Sequence, residues 1–115
     1  MGRANQVRGA HGEGLVAEWY EARGYTVLDR NWRHGRMGEI DLVVEREPGW
    51  VVFCEVKTRS TAAFGHPWEA IGPDKLLRMR RLALAWMADH GRGRDRVRID
   101  AAAVLGGAIE VLHGI

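Results

Sequence analysis

Lysine is almost absent from this chain: there are two, Lys57 and Lys75, against fifteen arginines. Cysteine is reduced to one, Cys54, which excludes an internal disulfide and a cysteine-built zinc cluster. No run of about 18 apolar residues occurs, so no membrane-spanning helix is expected. The opening stretch MGRANQVRGAHGEG is polar and glycine-containing, without the apolar region of a secretory signal. These absences make a cytoplasmic protein with no membrane partner the simplest expectation. The formal charge of +2 is too small to mark a polyanion binder by itself. Arginine does suit phosphate, which it grips with two parallel N–H bonds. Codon bias toward arginine, or adaptation to heat, nevertheless accounts for most of the fifteen. Against that background the two lysines stand out.

What is present fits one domain with a two-layer core. Residues 1–11 read as a flexible arm and residues 12–115 as the domain. Leu15, Val16, Trp19 and Tyr20 form a helical stripe over residues 13–23 that stops at Gly24. Residues 25–32 read as a strand, followed by the basic turn Arg33-His34-Gly35-Arg36-Met37-Gly38. A hairpin with strands near 39–46 and 50–58 comes next. Residues 60–72, with Gly65, Pro67 and Gly72, read as a loop. Pro73 and Asp74 open a second helix, where proline is tolerated. Its expected buried stripe is Leu76, Met79, Ala83, Trp86 and Met87. Val97, Ile99, Ala101, Ala103 and Leu105 alternate as a fourth strand, and residues 109–112 supply a short fifth. The order is α-β-β-β-α-β(-β), an α/β domain whose mixed central sheet is flanked by helices.

The hairpin "GEIDLVVEREPGWVVFCEVKTR", residues 38–59, holds the chemistry. Glu39, Asp41, Glu55 and Lys57 lie at the end far from its turn, inside otherwise apolar strands. Residues two apart in a strand share a face. Glu39 therefore goes with Asp41, and Glu55 with Lys57. An odd-numbered turn centred on Pro48 puts Asp41 opposite Glu55 and Glu39 opposite Lys57, with Leu42 facing Cys54 and Val44 facing Val52. One face then carries Ile40, Leu42, Val44, Val52, Cys54 and Val56. A two-residue turn at Pro48-Gly49 would instead send Asp41 and Glu55 to opposite faces unless a bulge intervened.

In the odd register the two carboxylates stand about 5 Å apart across the ladder, where like charges destabilise. A cation or a shared proton relieves them. Lys57 supplies one charge, and an all-oxygen donor set suits Mg²⁺ or Mn²⁺. An ordinary arrangement explains the pattern equally well: Lys57 paired with Glu55 or Glu39, and Asp41 capping a strand.

Asp41, a gap of thirteen residues, then Glu55-Val56-Lys57 resembles the PD-(D/E)XK motif of restriction-endonuclease-like nucleases. Longer blocks are more specific. "GEG" at 12–14, "RNWR" at 30–33, "GEIDLV" at 38–43, "FCEVKTRS" at 53–60, "FG" at 64–65 and "RIDAAAV" at 98–104 resemble the YraN-like family. These are small bacterial proteins described as endonucleases and related in fold to archaeal Holliday-junction resolvases. Cys54, where a β-branched residue is expected, and "RID" for "RFD" depart mildly from the pattern.

The resemblance implies a restriction-endonuclease-like core and a metal-dependent DNA endonuclease, directed at branched or otherwise structured DNA. Its products would carry a 5′-phosphate and a 3′-hydroxyl. Asp41 and Glu55 would be the metal-binding carboxylates, joined by the main-chain carbonyl of Val56 and by Glu13 from the first helix. Lys57 would orient or deprotonate water, or stabilise charge on the phosphate. Glu13 alternatively reads as a helix-start glutamate favoured by the dipole. Glu39 is expected to pair with Lys57. Arg33, Arg36, Arg59, Lys75 and Arg78 flank these elements as candidate nucleic-acid contacts. Trp32 and Trp68 are expected to pack or anchor loops rather than stack on bases. Junction-cutting relatives act as dimers, so a homodimer stays open. The competing class is a non-catalytic nucleic-acid-binding module that keeps the nuclease fold.

Overall fold

A computed structural model describes residues 3–47, 49–59, 71–93 and 95–115, with side chains described from residue 11 onward. Pro48 and most of the loop expected over 60–72, including the "FG" block and Trp68, lie outside the described residues. The element order is α1 (Arg3–Glu21), β1 (Thr26–His34), β2 (Gly38–Arg46), β3 (Trp50–Arg59), α2 (Pro73–Asp89), β4 (Arg96–Leu105) and β5 (Ala108–Leu112). It follows the order read from the hydrophobic pattern. Two boundaries differ most: β1 runs on to His34, leaving a turn of only three residues before β2, and α1 starts at Arg3, inside the stretch expected to be an arm. Backbone hydrogen bonding extends the helix upstream of its apolar stripe, which patterning alone does not register. Among the described residues no helix is long and apolar enough to cross a membrane.

The five strands form one sheet in the order β1-β2-β3-β4-β5. Only β3 and β4 are parallel, as their connection through α2 requires. The helices cover opposite faces. Val16, Ala17 and Tyr20 of α1 pack on Leu42, Val44, Val52, Cys54, Ala102 and Val104. Met79, Leu82, Ala83, Trp86 and Met87 of α2 pack on Val43, Val51, Phe53 and Ile99. Burial on both sides explains why β3 is apolar on nearly every residue from Val51 to Cys54.

The β2–β3 register is the one an odd-numbered turn gives, with Leu42 opposite Cys54 and Val44 opposite Val52. The ladder stops there. Beyond it β2 stays with β1, pairing Ile40 with Trp32 and Glu39 with Arg33, while β3 stays with β4 through Leu105. The sheet therefore forks between β2 and β3. Ile40 does not share the face of Leu42, as strict alternation requires. It packs with the α2 cluster, while Leu42 packs with the α1 cluster. The alternation breaks at Asp41, the residue on the fork.

Candidate active site

Five elements place polar side chains at the fork. Asp41, on β2, accepts the Val56 N–H through Oδ2 at 2.8 Å. That amide would otherwise be a partly buried donor left open where the ladder ends. Glu55, on β3, is 9% exposed and receives two ammonium groups on one oxygen. Lys57 Nζ lies 3.2 Å from Oε1 and Lys75 Nζ, from the first turn of α2, only 2.6 Å. Glu13 comes from α1. Its neighbours one turn on, Val16 and Ala17, are wholly buried against the sheet, so it faces the same way.

Asn31, on β1, completes the group. Its backbone is left-handed, with φ of 51°, a conformation that asparagine tolerates better than most residues. With its amide nitrogen turned toward the acids it donates to both Glu13 oxygens, at 3.0 and 3.2 Å, and to Glu39 Oε1 at 3.1 Å. Glu39 also faces Arg33, at 3.9 Å. The expected Glu39–Lys57 pair does not form, because the strands have already parted at that level. Lys57 turns to Glu55 instead.

α1 reaches this position through Gly12. A Cβ there would run into the Thr58 hydroxyl, with Thr58 Cβ and Cγ2 at 3.3 and 3.4 Å. Nothing lies within 4 Å of a Cβ at Gly14. Opposite outcomes are expected from the same substitution. Gly12→Ala should destabilise by about 1–2 kcal/mol through overpacking and move Glu13 off the fork. Gly14→Ala should stabilise by about 0.5–1 kcal/mol through helix propensity. Urea unfolding of the two variants measures both.

The charge distribution divides the site. Burial, then the charge of Glu55, pushes the Asp41 carboxyl up to about 8, against the pull of the Val56 N–H. Burial raises Glu13 as well, with Glu39 and Glu55 adding repulsion. The Glu13 charge adds to the burial and to Glu55 in disfavouring the charged form of Asp41. On the other side, burial and the adjacent Lys75 pull Lys57 below its ordinary value. Burial also disfavours the charge of Lys75, but the Glu55 carboxylate carries it above its usual range.

A titration follows from the raised Asp41 value. Between the ordinary carboxylate range near 4 and about 8, the folded protein binds a proton that the unfolded chain has released. Stability of the metal-free protein should therefore fall as pH rises through that window, by a few kcal/mol. Asp41→Asn keeps the acceptor for Val56 and removes the ionisation. Melting curves from pH 5 to 9, a range spanning about 8, should be flatter for this variant, with the higher melting temperature at the alkaline end.

The fork thus gathers Glu13, Asp41, Glu55 and Lys57 from the sequence-derived set. Both elements of the ordinary arrangement are present too, since Lys57 pairs with Glu55 and Asp41 caps β3. The convergence of Glu13, Asn31 and Lys75 on those same acids goes beyond it. Asn31 sat inside the "RNWR" block without an assigned role. Lys75, expected as a flanking contact, lies within the site, and the scarcity of lysine was the signal. Arg59 lies at the end of β3, its guanidinium on the Thr58 carbonyl at 3.2 Å. Arg36 and Arg78 border a cleft next to the fork. Trp32 packs with the α2 cluster and stacks on His34.

A hard cation would find carboxylate oxygen donors here, and the raised proton affinity of Asp41 shows that the acids repel one another in its absence. As the side chains stand, no three His, Cys, Asp or Glu among the described residues are grouped to hold an ion. Glu55 is drawn toward the lysines, so an ion would have to displace Lys75 and keep Asp41 ionised.

The fold and fork together define a small α/β domain with a carboxylate–lysine site where its central strands part. The chain belongs to the family described as "Uncharacterised protein family UPF0102", whose model matches residues 12–104, and this is the YraN-like family. It is 50% identical over 114 residues to a UPF0102 protein of Beutenbergia cavernae, covering 96% of this chain and 95% of the relative. A UPF0102 protein of Streptomyces coelicolor is 50% identical over 103 residues, 89% of this chain and 78% of the relative. One from Leifsonia xyli subsp. xyli is 47% identical over 97 residues, 84% and 80%.

Proposed function

We propose that this protein is a metal-dependent nuclease that hydrolyses phosphodiester bonds, with a restriction-endonuclease-like core. The observation that carries the reading is the fork. Asp41, Glu55 and Lys57 stand together at the one place where the sheet opens, and Glu13 joins them from a helix brought close by Gly12. A scaffold has no use for repelling carboxylates at that point.

Asp41, Glu55 and Glu13, with the Val56 carbonyl, would hold Mg²⁺ or Mn²⁺. When bound, such an ion polarises the phosphoryl oxygen and lowers the pKa of water. The protein's own residues supply the rest. Lys57, already pulled toward its neutral form, orients the attacking water or takes its proton. Lys75, which stays charged, replaces the lost positive charge beside the phosphate. Asn31 fixes Glu13 and Glu39 on the opposite side. The natural substrate on this reading is DNA, branched or otherwise structured.

One observation favours the non-catalytic alternative. Glu55 is neutralised by two lysines, and burial favours the neutral form of Asp41, so the site holds its acids without an ion. Incubating the full chain with plasmid, single-stranded and four-way-junction DNA, with Mg²⁺, Mn²⁺ or a chelator, tests both. Cleavage that requires the ion is expected. Binding without cleavage on every substrate would favour the module.

A further inference from the structure

The β1–β2 turn and the start of α2 enclose a cleft of about 550 Å³ beside the fork. Arg36 from the turn and Arg78 and Arg81 from α2 line it. Among the described residues, ion pairs engage three arginines, all outside the cleft. Arg98 grips Asp100, Arg92 pairs with Glu45 and Asp95, and Arg33 faces Glu39. The three cleft arginines, like Arg80 and Arg96, have no ion-pair partner among the described residues, and they are set apart by converging on one cleft. Asp74, the one acid on the rim among the described residues, pairs with none of them.

The cleft is also a formed feature. Gly38 sits in it with φ of 135°, and a Cβ there would meet the Arg78 stem at 3.6 Å and Leu82 at 3.5 Å. The turn backbone at Gly38 and the Arg78 stem thus stand on facing sides of the cleft, about one side chain apart. Met37 and Leu77, 39% and 47% exposed, give the cleft an apolar floor.

Its position sets the ligand. Lys75, which binds Glu55, is followed by Arg78 and Arg81 at successive turns of α2, each about 4.5 Å further along the axis. We infer that this cleft binds the phosphodiester backbone of a nucleic-acid strand whose neighbouring phosphate lies at the fork. Three guanidinium groups suit phosphate oxygens, and the apolar side chains suit sugar and base edges. The inference rests on the nuclease reading for the strand's path, but its test does not need cleavage.

Fluorescence anisotropy of the full chain with labelled single-stranded and duplex DNA in chelator, between about 50 and 200 mM salt, reads the cleft directly. Arg78→Gln and Arg81→Ala should each weaken binding by about tenfold and lower the salt slope by about one. Arg36→Ala should do the same. Arg46→Ala, at the far end of β2, and Arg23→Ala, stacked on Trp19, are controls expected to match the parent. Melting temperatures verify that each variant is folded. Parent-like affinity and slope in the three cleft variants would overturn the inference. Equal loss in the controls would too, as it would mean diffuse charge. Effective competition by polyglutamate would also overturn it, marking a site for acidic polypeptides. Cleavage that persists while the cleft arginines prove irrelevant sinks this inference alone. Cleft-dependent binding without cleavage sinks only the nuclease reading.

Discussion

Alanine at position 41 is expected to lower metal-dependent cleavage by on the order of 10³-fold, while the chain stays folded. Asp41 stands where β2 and β3 part, its Oδ2 on the Val56 N–H, with Glu55 and Glu13 raising its proton affinity. Removing it takes away the central oxygen donor and leaves Glu13 with only Asn31 and the Glu55 side of the fork. The factor corresponds to about 4 kcal/mol of transition-state stabilisation. Stability should move much less. Losing the Val56 acceptor costs about 1 kcal/mol, and losing a repelling carboxylate offsets it. Single-turnover cleavage with Mg²⁺ and the Mn²⁺-induced rise in melting temperature are the two readouts. Both should vanish in Asp41→Ala. Lys57→Ala should instead keep the Mn²⁺ effect and lose rate, since an ammonium group is no donor to a cation. Undiminished cutting by both variants would point to a contaminating nuclease and remove the support for Asp41 and Lys57 as the machinery.

How much of this site could be read from the residues depends on how far periodicity reaches. The register of Leu42 with Cys54 followed from the odd-numbered turn, because pairing in a regular ladder is arithmetic. The fork did not follow, because it is a departure from regularity. Ile40 looked like a partner of Leu42 by parity, and Glu39 like a partner of Lys57. Both expectations failed for one reason, that β2 changes neighbour at Asp41. The left-handed backbone at Asn31 is equally invisible to alternation. Lys75 was conspicuous by its rarity, yet only the packing of α2 on the sheet brings it to Glu55. Gly12 read as part of a family block, and its close approach to Thr58 supplies the physical reason for a glycine there. Local pattern therefore gave the elements and the central acids. Contacts between distant elements decided which groups those acids meet.

Asp100 is the residue whose loss should damage the fold most. It is fully buried on β4 and its carboxylate is saturated. Tyr20 donates its hydroxyl at 2.6 Å, Arg98 donates through Nε and Nη2 at 2.9 and 3.0 Å, His113 Nδ1 lies at 2.7 Å and the Gly114 N–H at 3.1 Å. Asp100→Ala would leave a buried hydroxyl and a guanidinium group without their acceptor, at a cost of about 3–5 kcal/mol. That is a large share of the roughly 5–15 kcal/mol that holds a domain. Asp100→Asn should be nearly as harmful, since its NH₂ would face donors. Burial disfavours the Asp100 charge, but Arg98, Tyr20 and His113 outweigh it and hold the carboxyl below its ordinary value. A lowered acid contributes stability above the unfolded pKa near 4 and loses it as pH falls through the folded value. The gap between parent and Asp100→Asn in urea should therefore be widest near neutrality and close in acid. The consequence reaches the fork, because Tyr20 ties α1 to the sheet two turns beyond Glu13. Tyr20→Phe removes that tie for about 1 kcal/mol and keeps the ring in place. It should leave the chain folded yet weaken Mn²⁺ stabilisation, by letting α1 carry Glu13 away from Asp41. Mn²⁺ titrations of Tyr20→Phe identical to those of the parent would show that α1 is held by packing alone.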